Sequence, residues 1–283
     1  MLSILIPTYD YTCYTLVYDL HQQAEALGVP YEIIVAEDGS RSQVDIIANH
    51  KVNELSHCLH IQRHENVGRA AIRNFLMSKA QGDMLLFMDA DGKVVSDDFL
   101  AQYWEAGKAH DVVCGGIKTP DVWHNPHSML RWKYEKAYEE KHGHISTQFR
   151  SFCFLISKRV SQQVQFDERY QDYGYEDVQY GKDLKAAGYE PFGIDNPLEN
   201  TDIETNDVFL QKTEAALRTA HKFQKEIGDS LTITQTFQKV KAFRWAIRLA
   251  FRLCRKPMRR NLLSANPSLT VFSLYKLGYY SAL

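Results

Sequence analysis

Cysteine is sparse in this sequence. There are five, Cys13, Cys58, Cys114, Cys153 and Cys254, odd in number and never spaced as Cys-x-x-Cys. That argues against a disulfide framework and a zinc knuckle, and it fits a reducing cytosol. No run approaches the ~18 uncharged apolar residues of a spanning helix, so an integral membrane protein is not expected. The opening stretch MLSILIPTYD is apolar but lacks the basic start of a signal peptide. There is no Gly-x-x-x-x-Gly-Lys-Ser/Thr phosphate loop and no Gly-x-Ser-x-Gly elbow, which removes the P-loop and hydrolase readings. What is present is ordinary for a globular protein: 283 residues, 45% apolar and 24% charged. That length suits one large domain, or one with an appendage.

Acidic residues also run out. None follows Asp229, while ten of the 33 Lys and Arg do. Residues 230–283 therefore carry +10, and the 23 basic and 35 acidic groups before them a net −12. The tail prefers an anionic partner.

Apolar runs of strand length alternate with helix-like spacing over the first 115 residues. Leu2–Ile6, Tyr31–Ala36, Leu59–Arg63, Met84–Met88 and Asp111–Gly115 read as strands. Segments 14–27, 42–55, 69–80 and 97–109 read as helices between them. Such alternation predicts an α/β fold, a mostly parallel central sheet flanked by helices. In open sheets of this kind ligands bind beyond the carboxyl ends of the strands. Polar groups gather there: Thr8-Tyr9-Asp10, Glu37-Asp38, and Asp89 with Asp91. Beyond residue 120 the regularity breaks into a Pro120–Pro126 loop and further helices, including 129–141, 175–187 and 213–227.

Asp89-x-Asp91 follows the fully apolar strand MLLFM. Two carboxylates leaving a buried strand must be solvated, paired or bound to a cation. A hard divalent ion completed by phosphate oxygens fits that pattern; aspartates capping the next helix are the alternative. Arg69 and Arg73, one helical turn apart, offer forks for phosphate or carboxylate oxygens, or ion pairs with the acidic strand ends. Glu176-Asp177 opens a helix after Tyr173-Gly174-Tyr175. It reads either as charges suited to a helix N-terminus or as a general base. The pairs His57/His60 and His142/His144 lack flanking metal ligands and read as surface or loop histidines.

Taken in order, SILIPTYD, VAEDGS, NVGRAAIRN, FMDADG and YGYEDVQYGKDLKAAGY resemble the inverting family 2 glycosyltransferases with the GT-A fold. The resemblance spans roughly residues 1–225. It implies a GT-A-like domain over 1–228, with 1–118 binding nucleotide and 119–228 binding acceptor, and a helical basic C-terminal appendage over 229–283. Pro7, Tyr9 and Asp38 would line the base pocket. Arg69 and Arg73 would lie near the nucleotide or its phosphates, Asp89 would meet the ribose, and Asp91, with Asp89, would hold Mn2+ or Mg2+. Asp177 would be the general base and Glu176 would bind acceptor hydroxyls, with Trp123 and Arg150 bordering the acceptor. The partners implied are a nucleotide-sugar donor, a UDP-sugar above others, and a glycan or lipid-linked acceptor. Two features depart from the pattern. Glu37 stands where many members have aspartate, and Glu199-Asn200 stands where some relatives place a histidine ligand, with His221 a distant substitute. An inactive glycan-binding scaffold and a sugar nucleotidyltransferase are the rival readings.

In the tail, Lys241, Arg244, Arg248, Arg252 and Arg255 form one basic stripe. Val240, Phe243, Ile247, Ala250, Phe251 and Cys254 form an apolar one, widened by Trp245 and Leu249, and Pro257 is expected to end the helix. The composition matches a helix lying in an anionic membrane surface, so that 237–283 would hold a cytoplasmic protein to the inner face of the cell membrane. Packing against the acidic body is the alternative. Nucleic acid is not an expected partner, since no recognised nucleic-acid-binding fold is present.

Overall fold

A computed structural model describes residues 1–140 and 149–283; the His142/His144 pair lies outside them. The chain divides into two compact units: Met1–Pro120, Glu140–Gln171 and Tyr180–Asp202 form the first, and Asp121–Glu139, Asp172–Gln179 and Ile203–Leu283 the second.

The first unit is built on strands β1 (Leu2–Thr8), β2 (Tyr31–Glu37), β3 (Cys58–Gln62), β4 (Met84–Met88), β5 (Gly92–Lys93), β6 (Val112–Cys114), β7 (Ile117–Lys118), β8 (Cys153–Ser157), β9 (Phe192–Gly193) and β10 (Leu198–Asn200). Among the described residues seven of them form one sheet in the order β3-β2-β1-β4-β8-β6-β9. Strands β3, β2, β1 and β4 run parallel, as βαβ crossovers require. β8 enters antiparallel between β4 and β6. Its direction is fixed by pairing with β4, a contact between distant parts of the chain.

Both faces of the sheet are covered, which is why β4 is apolar throughout and β1 mostly so. Successive side chains alternate faces. Ile4 and Ile6 meet helices α1 (Tyr14–Leu27) and, after α2 (Gln43–His50) and α3 (Arg69–Lys79), α4 (Phe99–Ala109) through Leu16, Leu20, Phe99 and Tyr103. Leu5 and Phe87 point the other way and meet Ile72 and Leu76 of α3 with Phe154, Phe166 and Tyr180. β5, β10 and β7 make a separate three-stranded sheet in which Asn200 pairs with Gly92.

The second unit is helical. Its core joins Leu130, Phe209, Leu210, Phe251, Leu262, Phe272 and Tyr275. The Arg244–Leu262 helix runs through Pro257 rather than stopping there. An interior proline costs about 3 kcal/mol, but the turn after it is held by buried Leu262 and by Arg259 bonded to Glu214. Among the described residues no helix is long and apolar enough to cross a membrane.

Candidate functional site

The carboxyl ends of β1, β2 and β4 are adjacent because those strands are neighbours in the sheet. Pro7 is the last residue but one of β1, and Tyr9, just beyond it, is exposed. Asp10 follows at φ 47°, a left-handed conformation that aspartate visits more readily than most residues. Here it accepts from the Arg41 and Ser42 amides at 2.6 and 2.8 Å.

Asp38 follows β2 and anchors the turn that starts α3, accepting from the Val67 amide at 2.9 Å and the Gly68 amide at 3.0 Å. Burial raises its pKa, while those two amides and the charge of Arg63 pull the other way. Gly39 makes this junction possible. At φ +72° any Cβ there would lie 2.3 Å from the Asn66 nitrogen. Each carboxylate oxygen of Asp38 keeps a lone pair for a further donor. A polar groove of about 720 Å³ borders the same turn, lined by Arg63, Asn66, Gly68, Asn74, Glu168 and Gln171.

Glu37 is fully buried beside Asp38. Its Oε1 accepts from Asn49 Nδ2 at 2.9 Å and lies 3.0 Å from His60 Nε2, and its Oε2 accepts from Ser40. His60 is therefore no surface residue: it sits on β3, 8% exposed, against a carboxylate, while His57 is exposed. The extra length of Glu37 over aspartate carries it to Asn49 and His60. Together they tie β2, β3 and α2 beneath Asp38.

The two aspartates after β4 differ. Asp89 is matched: its Oδ1 accepts from Arg73 Nη2 at 2.9 Å and its Oδ2 from Arg69 Nη2 at 3.1 Å. Arg73 is 1% exposed. So the two arginines, expected near phosphates, are brought onto Asp89. Asp91 is half-buried with no side-chain partner on its carboxylate among the described residues; the charge of Arg69 and its own backbone amide reach it. Burial first, and the charge of Asp89 second, push its pKa up to about 7. The Asp91 carbonyl accepts from Thr201 N at 3.0 Å and Thr201 Oγ1 at 2.8 Å, and Tyr11 Oη lies 3.4 Å from Thr201 Oγ1. Tyr11, Thr201 and Asp202 thus join the neighbourhood, and the sequence pattern alone did not reach them. Glu199 is engaged elsewhere, 3.6 Å from Lys118.

Among the described residues no group of three or more His, Cys, Asp or Glu side chains forms a complete metal site. Asp91 nevertheless fits a divalent ion: a carboxylate desolvated, beside a like charge and short of a cation, is what such an ion satisfies when substrate oxygens complete its shell.

The remaining candidates lie elsewhere in the chain. Arg150 is half-buried in the first unit, beside Cys114. Glu176, Asp177 and Trp123 belong to the second. The indole N–H of Trp123 is buried with no partner among the described residues. Glu176 and Asp177 open the Glu176–Ala186 helix, with Glu176 buried and Asp177 half-buried. Tyr175 before them holds φ 70°, a conformation costing about 1–2 kcal/mol outside glycine. Strain of that kind recurs where a side chain must be aimed. His221 is exposed, its ring edge-on to Tyr280.

The sequence model of Glycosyl transferase family 2 matches residues 3–164, and the chain belongs to that family. An uncharacterized glycosyltransferase of Haemophilus influenzae is 30% identical over 100 residues, 34% of this chain and 38% of that protein's length. In structure the chain is similar to S. aureus TarS 1–349 in complex with UDP, at TM-score 0.51 and 16% identity, over 99% of this chain and 89% of that one. It is similar too to the mannosyltransferase PcManGT from Pyrobaculum calidifontis in complex with GDP-Man and Mn2+, at TM-score 0.54 and 15% identity, over 99% and 84%. Against S. aureus TarS not cut at residue 349 the chain spans 38% of the length. At these identities the structural likeness speaks for the fold, which is GT-A.

Proposed function

We propose that this chain transfers a sugar from a nucleotide-sugar, a UDP-sugar above others, to a hydroxyl of a glycan or lipid-linked acceptor with inversion. The observation that carries the reading is the contrast at the end of β4: Asp89 paired with two arginines, Asp91 half-buried with no cation bonded to it. Family membership supports the reaction class. The UDP and the GDP-Man with Mn2+ held by the two structural relatives support the donor and the metal.

In this reading Pro7, Tyr9 and Asp38 receive the base, the free lone pairs of Asp38 accepting its N–H. Arg69 and Arg73 hold Asp89 fixed toward the ribose hydroxyls. Asp91, with Asp89 beside it, would hold Mn2+ or Mg2+, which when bound supplies positive charge to the departing diphosphate. Asp177 takes the proton of the attacking hydroxyl, and Glu176 with Trp123 and Arg150 orients the acceptor. Residues 237–283 meet an anionic membrane surface on the cytoplasmic side.

Release of UDP from a panel of UDP-sugars, with and without Mn2+, tests this. The wild type should turn over. Asp91→Ala and Asp177→Asn should each lose about 10²–10⁴-fold while melting as cooperatively as wild type. A wild type that binds glycan yet turns over no nucleotide-sugar, or an Asp91→Ala variant with full activity, overturns the reading.

A further inference from the structure

The basic stripe of the tail does not act as one surface. Arg244 donates to the Ser281 carbonyl at 3.1 Å and Arg248 to the Ala282 carbonyl at 2.9 Å, placing two cations on the carbonyls that end the Leu269–Ala282 helix. Arg259 bonds Glu214 at 3.1 Å and Asp207 at 3.3 Å, and Arg255 lies 3.7 Å from Glu214. The apolar stripe is divided as well. Phe251, at its centre, is buried, packed so closely that a Cβ on Gly278 would come within 2.4 Å of its ring. The packing alternative therefore claims the face that the sequence periodicity would lay on lipid.

What remains is the opposite side of the Arg244–Leu262 helix. At 3.6 residues per turn, Trp245, Leu249, Arg252, Leu253, Lys256 and Arg260 fall within an arc of about 100°, turned away from Phe251. Trp245 is 70% exposed, Leu249 52% and Leu253 72%. Arg252, Lys256 and Arg260 are exposed and make no hydrogen bond or ion pair among the described residues. We infer that this face is a docking surface for an anionic lipid bilayer, with Trp245, Leu249 and Leu253 entering the headgroup boundary and Arg252, Lys256 and Arg260 meeting lipid phosphates. The inference rests on the proposal that the tail meets such a membrane, and names the side that does so.

Charge complementarity selects the occupant. No acidic side chain occurs anywhere in residues 230–283, so this surface offers only positive charge beside its apolar residues. A second copy of the same face would set like charges against each other. The three apolar side chains stand out from a convex helix rather than lining a groove, and a fluid headgroup layer conforms to such a shape. Tryptophan, with an apolar ring and one polar N–H, suits that depth.

The full chain should sediment with vesicles of phosphatidylcholine and phosphatidylglycerol at 7:3, and its tryptophan emission should shift to the blue. Trp245→Ser/Leu249→Ser/Leu253→Ser should lower partition at least about tenfold. Arg252→Gln/Lys256→Gln/Arg260→Gln should lower it by about fivefold per cation on anionic vesicles, and leave pure phosphatidylcholine unaffected. Phe243→Ser, an exposed position off the arc, should change nothing. Because every substituted side chain is exposed, circular dichroism and melting should match wild type and certify the fold. If wild type ignores anionic vesicles, the membrane reading itself falls. If wild type binds and both triple variants bind as well as it does, the assignment of this face falls while the membrane reading stands. If wild type is a lipid-free dimer that the apolar triple variant dissociates, the face belongs to a second copy and the inference is overturned.

Discussion

At the carboxyl end of β4 two arginines close on one aspartate and leave its neighbour without a cation. In the C-terminal helices the imbalance runs the other way. Arg244, Arg248, Arg255 and Arg259 are taken up by carbonyls and carboxylates, and Arg252, Lys256 and Arg260 are left without an anion. Asp89 and its two arginines are matched within the chain, as are four of the seven cations on the Arg244–Leu262 helix. The unmatched ones are where a bound cation or an anionic surface is needed to complete the set. The comparison thus separates charges that hold the fold from charges that await a partner, and it can be broken by removing one of each kind.

The largest expected effect on stability comes from Arg73→Ala. It removes a side chain 1% exposed and strips Asp89, whose side chain is 15% exposed, of one of its two bonds. Breaking a buried pair from one side costs about 3–5 kcal/mol. Arg69 binds the same carboxylate, but its side chain is 46% exposed. Arg69→Ala should stay within about 1 kcal/mol. Urea denaturation of the two variants measures the gap. Equal losses would show that both arginines serve the fold alike, and the distinction drawn from burial would fail.

Glu214 is the matching test in the helical unit. It accepts from Tyr275 Oη at 2.5 Å and Arg259 at 3.1 Å, with Arg255 nearby. Glu214→Gln keeps an acceptor and the shape but removes the charge, so about 1–2 kcal/mol should be lost. Arg255 then loses its anion and Arg259 keeps only Asp207, so partition onto anionic vesicles should rise slightly rather than fall. A variant both unchanged in stability and weaker on vesicles would mean that Glu214 does not hold the arginines.

Much of this was legible in the sequence. The apolar runs Tyr31–Ala36 and Met84–Met88 read as strands, the second buried on both faces, and that put Asp38, Asp89 and Asp91 at carboxyl ends of strands in one sheet. Three things were not legible. The antiparallel entry of β8 depends on pairing across the chain. His60 looks like a surface residue until β3 is docked beside Glu37. Thr201 and Asp202 reach Asp91 only because β10 pairs with β5. In the tail, periodicity defined an amphipathic helix but not which side faces inward. Phe251 and Trp245 are equally apolar on paper; contact with Gly278 and Tyr275 decides between them. Local pattern fixes what an element is, and partners distant in sequence fix which way it faces.

The effect that depends on pH tests Asp91 itself. Its carboxyl titrates near 7 in the fold against about 3.9 in an unfolded chain. The folded state therefore holds the proton more tightly. The sign follows: this group favours the fold below about pH 4, and the advantage is lost as pH rises through about 7, above which the native state carries an uncompensated charge. In chelator-treated protein Asp91→Asn, neutral at every pH, should therefore be more stable than wild type at pH 8, by on the order of 1–3 kcal/mol. The gap should close toward pH 5. Adding Mn2+ at pH 8 should reverse the order, because an ion that binds only the folded wild type raises its melting temperature while the asparagine variant gains little. If Asp91→Asn melts below wild type in chelator at pH 8, the carboxylate is already satisfied within the chain. The contrast with Asp89 would then no longer mark a place for a cation.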